Sequence, residues 1–126
     1  MLWPSWNRRT PHYFQMRVLL DEDLPRRLGN YLAGYAPETV PRAGWAGVKN
    51  GRLLALAATR FDVFLTMDQN LEFQQNLTTL PIAVLVLDAI SNRIEHLQPL
   101  IPDLLAALEN LTSKTLRHVG NRSSEA

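Results

Sequence analysis

The stretch "RVLLDEDLPRRL", residues 17–28, decides the fold, because in it a buried strand ends directly in a block of acids. The predicted strand, residues 16–20, is almost wholly apolar, which is typical of a parallel strand that is covered on both faces. A helical pattern follows over residues 24–35, with Pro25 in its first turn. A strand followed by a helix is the first half of a β-α-β unit, so we expect a parallel sheet with this strand at its centre.

The same alternation continues to the end of the chain. It predicts a three-layer α/β/α fold whose mainly parallel sheet has about five strands. The other predicted elements are an edge strand over 38–45, a helix over 49–60 with Asn50 as its N-cap, a strand over 61–68, a polar loop or short helix over 69–80, a strand over 82–88, a long helix over 91–111 and a last strand over 115–119.

The long helix carries two signals of its own. Asn92 and Glu95 have the spacing of a capping box at its start. Pro99 and Pro102 lie inside it, and each removes a backbone hydrogen bond, so we expect the helix to kink or split there.

A chain of 126 residues fits one domain, which we place at residues 16–119. Residues 1–15 lack periodicity and are interpreted as an extension outside the domain. The alternative is an ordered arm that packs Trp3 and Trp6 on the domain. Residues 120–126 are expected to form a flexible tail.

Composition excludes several classes of function. The chain has no cysteine, which removes disulfides, thiol catalysis and zinc sites of the cysteine type. The net charge of +1 predicts no bulk attraction to nucleic acid or membrane. No apolar run reaches the roughly 18 residues of a membrane span, and the amino-terminal segment has no signal-peptide pattern, so we expect a cytoplasmic protein.

Three acids come directly after the three strong strands, namely Asp21, Asp68 and Asp88. The carboxyl ends of parallel strands meet at one edge of the sheet, where open α/β sheets bind their ligands. Asp23 points the same way as Asp21 if the chain stays extended, whereas Glu22 points elsewhere. The sequence therefore predicts a cluster of carboxylates at this edge.

Such a cluster is unfavourable by itself, since two carboxylates about 5 Å apart repel by roughly 3 kcal/mol at an effective dielectric constant near 20. Cations balance it, and a set of oxygen ligands selects Mg²⁺ or Mn²⁺. Either ion can hold a phosphodiester and activate a water for in-line attack. Two alternatives stay open: Asp23 caps the following helix, and Asp88 simply begins a loop.

The segments "MRVLLDEDLP", "GWAGVKNGRLLALAATRFDVFLTMDQNLEFQQN" and "PIAVLVLDAISNR" resemble the short PIN-like proteins, over about residues 16–119. The resemblance implies an RNA-cleaving site in which Asp21, Asp23 and Asp68 hold Mg²⁺ or Mn²⁺. It also implies a toxin that pairs with a small DNA-binding antitoxin.

One position departs from the resemblance. The helix that begins "NGRLLALA" has Arg52 where similar proteins usually carry glutamate, and Asp88 stands where they often carry a basic residue. Either the two residues form a structural salt bridge, or Asp88 supplies the missing carboxylate while Arg52 contacts phosphate. An arginine cannot ligate a metal ion, so a non-catalytic protein that acts through partner binding is the alternative function.

Polar residues around the acids are candidates for contacts to RNA. They are Arg26, Lys49, Arg52, Asn70 and Arg93. A phospho-receiver domain with Asp68 as its phosphoacceptor is a further alternative, although Lys114 is misplaced for it. The apolar stripe of the last helix predicts a core face, and its excess of leucine is compatible with a homodimer.

Overall fold

The computed structural model describes residues 16–111 and 113–120, and it contains one sheet of five parallel strands in the order β2-β1-β3-β4-β5. The strands are β1 (Val18–Leu20), β2 (Glu38–Thr39), β3 (Val63–Thr66), β4 (Ala83–Asp88) and β5 (Leu116–Gly120). The predicted parallel sheet of about five strands is therefore confirmed.

Helical segments cover both faces of the sheet. The α-helices are α1 (Asn50–Ala58), α2 (Leu71–Gln74), α3 (Ile94–Leu97) and α4 (Ile101–Glu109), and the 3₁₀ segments are Arg26–Tyr31, Ala33–Tyr35 and Gln98–Leu100. The first 3₁₀ segment, α3 and α4 pack in one apolar layer with β1, β3, β4 and β5. Helices α1 and α2 pack in a second layer on the opposite face. This arrangement is the expected three-layer α/β fold.

The two layers divide the strand residues by alternation, as the pleat of a sheet requires. Leu20 and Leu65 face the layer of α3 and α4. Leu19 and Phe64 face the layer of α1 and α2, and all four side chains are buried. Because these strands are buried on both faces, apolar residues do not alternate with polar ones along them, which explains the continuous apolar runs of the sequence.

Two expectations about the start of the domain are wrong. The middle strand of the sheet is β3, and β1 lies beside it, between β3 and the short edge strand β2. The predicted helix over 24–35 consists of two 3₁₀ segments instead of an α-helix. Gly29 and Gly34 both lie in this stretch, and each lowers the stability of an α-helix by about 1 kcal/mol relative to alanine.

The long helix over 91–111 is split at its prolines, as expected, into α3, a 3₁₀ turn and α4. Its capping box does not form, because the side chain of Asn92 donates to the backbone oxygen of Asp23 instead. Asn50 is likewise not an N-cap: it is the first residue of α1, and no side chain caps that helix.

The carboxyl-terminal boundary of the domain differs from expectation by one residue. Gly120 was predicted to begin the tail, but it is the last residue of β5 and pairs with Asp88 of β4. The predictions for residues 1–15 and 121–126 lie outside the described residues. Across 16–111 and 113–120, no helix is long and apolar enough to cross a membrane.

Replacing Gly120 with alanine is expected to lower the free energy of unfolding by about 2 kcal/mol or more. Gly120 has φ +124°, and an added Cβ would lie 2.9 Å from the backbone oxygen of Asp88. Gly34→Ala is the matched control, because nothing lies within 4 Å of an added Cβ there. Urea unfolding measures both variants, and an equal effect of the two would contradict this account of β5.

Candidate functional site

The sheet reverses its strand order between β1 and β3, since β2 lies on the outer side of β1 while β4 and β5 continue beyond β3. Ligands of open α/β sheets bind at such a switch point, outside the carboxyl ends of the strands. Asp21 and Asp23 follow β1, and Thr66 ends β3 with Asp68 two residues later. The structure therefore brings three of the four predicted acids to this point.

The hydroxyl of Thr66 connects the acids, and no feature of the sequence pattern indicates this role. Thr66 is fully buried. Its Oγ1 lies 2.7 Å from Oδ2 of Asp21 and 3.3 Å from Oδ2 of Asp23, and it accepts the backbone N–H of Asp68 at 3.0 Å. A hydroxyl has one proton to donate, so it can satisfy only one of the two carboxylates at a time.

Backbone N–H groups hold each carboxylate in place. Met67 donates to Oδ2 of Asp23 at 3.1 Å, and Glu22 donates to Oδ1 of Asp21 at 2.7 Å. Oδ1 of Asp23 is buried and has no hydrogen-bond partner among the described residues. Because the carboxylate of Asp23 contacts β3 and the first 3₁₀ segment has no side-chain cap, the alternative that Asp23 caps a helix is wrong.

Burial and mutual repulsion alter the ionisation of the pair. The pKa of Asp23 is raised from 3.8 to about 6, first by burial and then by the charge of Asp21. Burial also raises the pKa of Asp21, against the hydrogen bonds from Thr66 and from the N–H of Glu22. Asp68 raises the pKa of both. The ionised cluster is therefore unfavourable, and a cation would relieve it.

Asp68 is held by an amide that the sequence suggested only as a helix cap. Nδ2 of Asn50 donates to Oδ2 of Asp68 at 3.1 Å and to Oε1 of Gln74 at 3.5 Å. Arg52 is exposed and lies two residues further along α1, about 200° around the helix axis from Asn50. The residue of α1 that faces the acids is thus Asn50, and Arg52 points away from them.

Asp88 belongs to a separate group of side chains. Its Oδ1 lies 3.0 Å from Nδ1 of His118 on β5, and Nε2 of His118 lies 2.5 Å from Oε1 of Glu72 on α2. Among the described residues Asp88 pairs with His118, so the predicted salt bridge to Arg52 is wrong. The structure does not join Asp88 to the three acids at the switch point. His118 had no ligand spacing in the sequence, and only the pairing of β4 with β5 shows its role.

The polar residues predicted to contact RNA are spread around this edge. Arg26 lines a cavity of about 670 Å³ together with Asp21. Arg93 forms an exposed ion pair with Glu95 at 3.6 Å. The side chains of Lys49 and Asn70 are exposed, and the backbone N–H of Asn70 donates to Oδ1 of Asp68 at 2.9 Å.

The three acids at the switch point have the oxygen donors that Mg²⁺ and Mn²⁺ prefer. The buried, unpartnered Oδ1 of Asp23 and the raised pKa values fit a bound cation. Within residues 16–111 and 113–120, however, no group of three or more His, Cys, Asp or Glu side chains is arranged so that it could hold a metal ion. Asp21 and Asp23 converge on Thr66, whereas Asp68 contacts Asn50.

Comparison of the chain with protein-family models, with curated proteins and with solved structures finds no match. The likeness to PIN-like proteins therefore stays a prediction from the sequence.

The ionisation of Asp23 predicts a dependence of stability on pH. Between pH 3.8 and about 6 the folded protein binds a proton that the unfolded chain releases, so the free energy of unfolding falls as the pH rises through this interval. We expect Asp23→Asn to be more stable than the wild type above pH 6, by about 1 kcal/mol after allowance for solvent screening, and to lose this advantage near pH 4.

Urea unfolding in EDTA at several pH values measures this difference. Asp103→Asn is the control, because Asp103 is an exposed acid on α4, and it should gain nothing at neutral pH. If Asp23→Asn is less stable than the wild type at pH 7, burial and the charge of Asp21 do not make the ionised Asp23 unfavourable.

Removal of the shared hydroxyl is a second test of the cluster. Thr66→Val keeps the shape of the side chain, but it should cost about 2 kcal/mol of stability and raise the pKa of Asp21 further, since the hydrogen bond from Thr66 lowers that pKa. Thr66→Ser keeps the hydroxyl and should leave the pKa near its wild-type value. Carboxyl NMR titration measures both, and an unchanged pKa of Asp21 in Thr66→Val would show that the hydroxyl does not bind it.

Proposed function

We propose that this protein is a ribonuclease that depends on Mg²⁺ or Mn²⁺ and acts in the cytoplasm as the toxin of a toxin–antitoxin pair. The observation that carries the proposal is the meeting of Asp21 and Asp23 on one buried hydroxyl at the switch point of the sheet. The resemblance of the sequence to PIN-like proteins supports RNA as the substrate. The partner would be a small DNA-binding antitoxin.

In this proposal Asp21, Asp23 and Asp68 would hold the ion after their carboxylates move from the present arrangement, in which no three acids of the described residues could hold a metal. When bound, it supplies a Lewis acid for the phosphoryl oxygen and lowers the pKa of water. Thr66 fixes the orientation of Asp21 and Asp23, and Asn50 fixes that of Asp68. Burial and the charge of Asp21 raise the pKa of Asp23 in the metal-free protein, and a bound cation would favour its ionised form.

A specific observation favours the alternative of a non-catalytic protein that acts through a partner. Asn50 presents an amide donor to Oδ2 of Asp68, so one oxygen of that carboxylate is already hydrogen-bonded within the protein. Metal binding by the wild-type chain distinguishes the two functions.

The phospho-receiver is disfavoured by the position of its candidate lysine. Lys114 precedes β5, so it lies at the amino edge of the sheet, whereas the acids lie at the carboxyl edge. Receiver chemistry needs both groups at one site.

A homodimer stays a prediction. Leu104 and Leu108, on the stripe of α4 that suggested it, are buried in the core of a single chain.

The ribonuclease predicts that single-stranded RNA is cut in Mn²⁺ and is not cut in EDTA. Asp21→Asn should lower the rate by about 100-fold or more, because it removes one of the charges that would hold the ion. Asp103→Asn, an exposed acid outside the site, should leave the rate unchanged. The assay follows a labelled oligoribonucleotide by gel electrophoresis.

A thermal melt with and without Mn²⁺ separates the alternatives. A higher melting temperature in Mn²⁺ for the wild type but not for Asp21→Asn supports the ribonuclease. If the wild type neither binds the ion nor cuts RNA, the ribonuclease function is refuted and the partner-binding function is the one that stays.

A further inference from the structure

We propose that a single RNA strand leaves the carboxylate cluster along a groove on the β2 side of the sheet, with its phosphates on Arg26 and Arg42. The inference rests on the proposed function, because that function assigns a phosphodiester substrate to the cluster. It adds the path of the strand and the form of the RNA.

The groove consists of two adjoining cavities. The first, of about 670 Å³, has Asp21 and Glu22 at one end and Arg26, Thr39 and Arg42 in its walls. The second, of about 470 Å³, is lined by the same Arg26, Thr39 and Arg42. Because the cavities share these three residues, they adjoin, and together they extend from the acids to the edge strand β2; we call this pair of cavities the channel.

The two arginines come from different elements, which places them around the channel. Arg26 begins the first 3₁₀ segment after β1. Arg42 follows β2 in a turn, where the backbone N–H of Arg42 donates to Oγ1 of Thr39. Both side chains are exposed. A guanidinium binds a phosphate through two parallel N–H groups, so each arginine is suited to one phosphate of a strand that passes between them.

These arginines differ from others that already have partners. Arg93 pairs with Glu95, and Arg60 stacks over Trp45 while it donates to the backbone oxygen of Ala43. Arg26 and Arg42 form no ion pair among the described residues, although Glu22 and Glu38 line the same cavities. Within the described part of the chain, no carboxylate pairs with either guanidinium group.

The charges and the size of the channel favour a nucleic-acid strand. Asp21 and Glu22 repel any anion, so the strand reaches the acids only with the cation that the proposed function requires, and without that cation its phosphates bind Arg26 and Arg42 alone. A cavity of this volume encloses a group about the size of a drug molecule, which fits one nucleotide unit. A duplex is instead recognised across its wide minor groove by an extended surface, so the channel favours a single strand.

The test is the salt dependence of RNA binding by the full chain in EDTA, where cleavage does not interfere. Fluorescence anisotropy gives the affinity for a labelled single-stranded oligoribonucleotide over a series of KCl concentrations. Each phosphate contact to a single strand contributes about 0.7 to the slope of log affinity against log salt. We expect the double variant Arg26→Ala/Arg42→Ala to reduce this slope by about 1.4.

The double variant Arg27→Ala/Arg117→Ala is the matched control. It removes the same charge from two exposed arginines that line neither cavity of the channel, and its slope should equal that of the wild type. Thermal melting confirms that both variants fold. Equal slopes for all three proteins, an equal reduction in both variants, or no salt-dependent binding by the wild type would each overturn the proposal.

Two competitors define the ligand. The unlabelled single strand should displace the label, whereas an RNA duplex of the same sequence and polyglutamate should be at least about 10-fold weaker. Competition by either at the strength of the single strand would overturn the proposal. The cleavage assay tests the nuclease separately. If the Arg26→Ala/Arg42→Ala variant has a reduced slope but the wild type does not cut RNA, the channel is supported and the nuclease is refuted. If the wild type cuts RNA and the slope of the variant is unchanged, the nuclease is supported and the channel is refuted.

Discussion

The hydroxyl of Thr66, shared between two carboxylates, is the interaction on which the site depends. It exists because β1 and β3 are parallel neighbours in a fixed register, with Leu20 opposite Leu65. The backbone N–H of Asp21 donates to the oxygen of Leu65, which continues the ladder by one step and brings Asp21 beside Thr66. A slip by one residue would turn every side chain of β1 to the other face, so the two apolar layers that fix the register also fix the acids.

The same arrangement explains why the site is unfavourable in the protein alone. One proton of Thr66 serves two acceptors, and Oδ1 of Asp23 is buried without a partner in the described part of the chain. The core offsets this cost with strands that are apolar on both faces. Acids that repel one another inside a stable fold are typical of functional sites, because the energy that they lose in the free protein is recovered when a ligand binds.

The sequence predicted the parts of this site that follow from periodicity and topology. Asp21, Asp23 and Asp68 come after apolar strands, and strands of one parallel sheet end at one edge. Thr66 gave no signal, since threonine is common in strands and its hydroxyl has meaning only beside Asp21. Asn50 looked like a cap because an asparagine at the start of a helix usually is one.

Contacts between distant segments could not be predicted from the sequence, for a different reason. Asp88 and His118 are 30 residues apart, and only the neighbouring positions of β4 and β5 bring them together. The 3₁₀ segments after β1 were also misassigned, because their apolar spacing is helical while Gly29 and Gly34 weaken an α-helix. The first contact depends on the pairing of two strands, whereas the second difference arises from glycines within the segment itself.

Along the carboxyl edge of the sheet, the charged side chains differ from one strand to the next. Arginines lie beside β2, the repelling acids lie between β1 and β3, and a histidine holds two carboxylates beyond β4. On that side of the edge the carboxylates of Asp88 and Glu72 are both bonded to His118. In the proposal a polyanion approaches from the β2 side, where Arg26 and Arg42 line the cavities beside the acids. The direction of approach that we propose follows from the positions of Arg26 and Arg42 beside β2, and it rests on the phosphodiester substrate that the proposed function assigns to the acids.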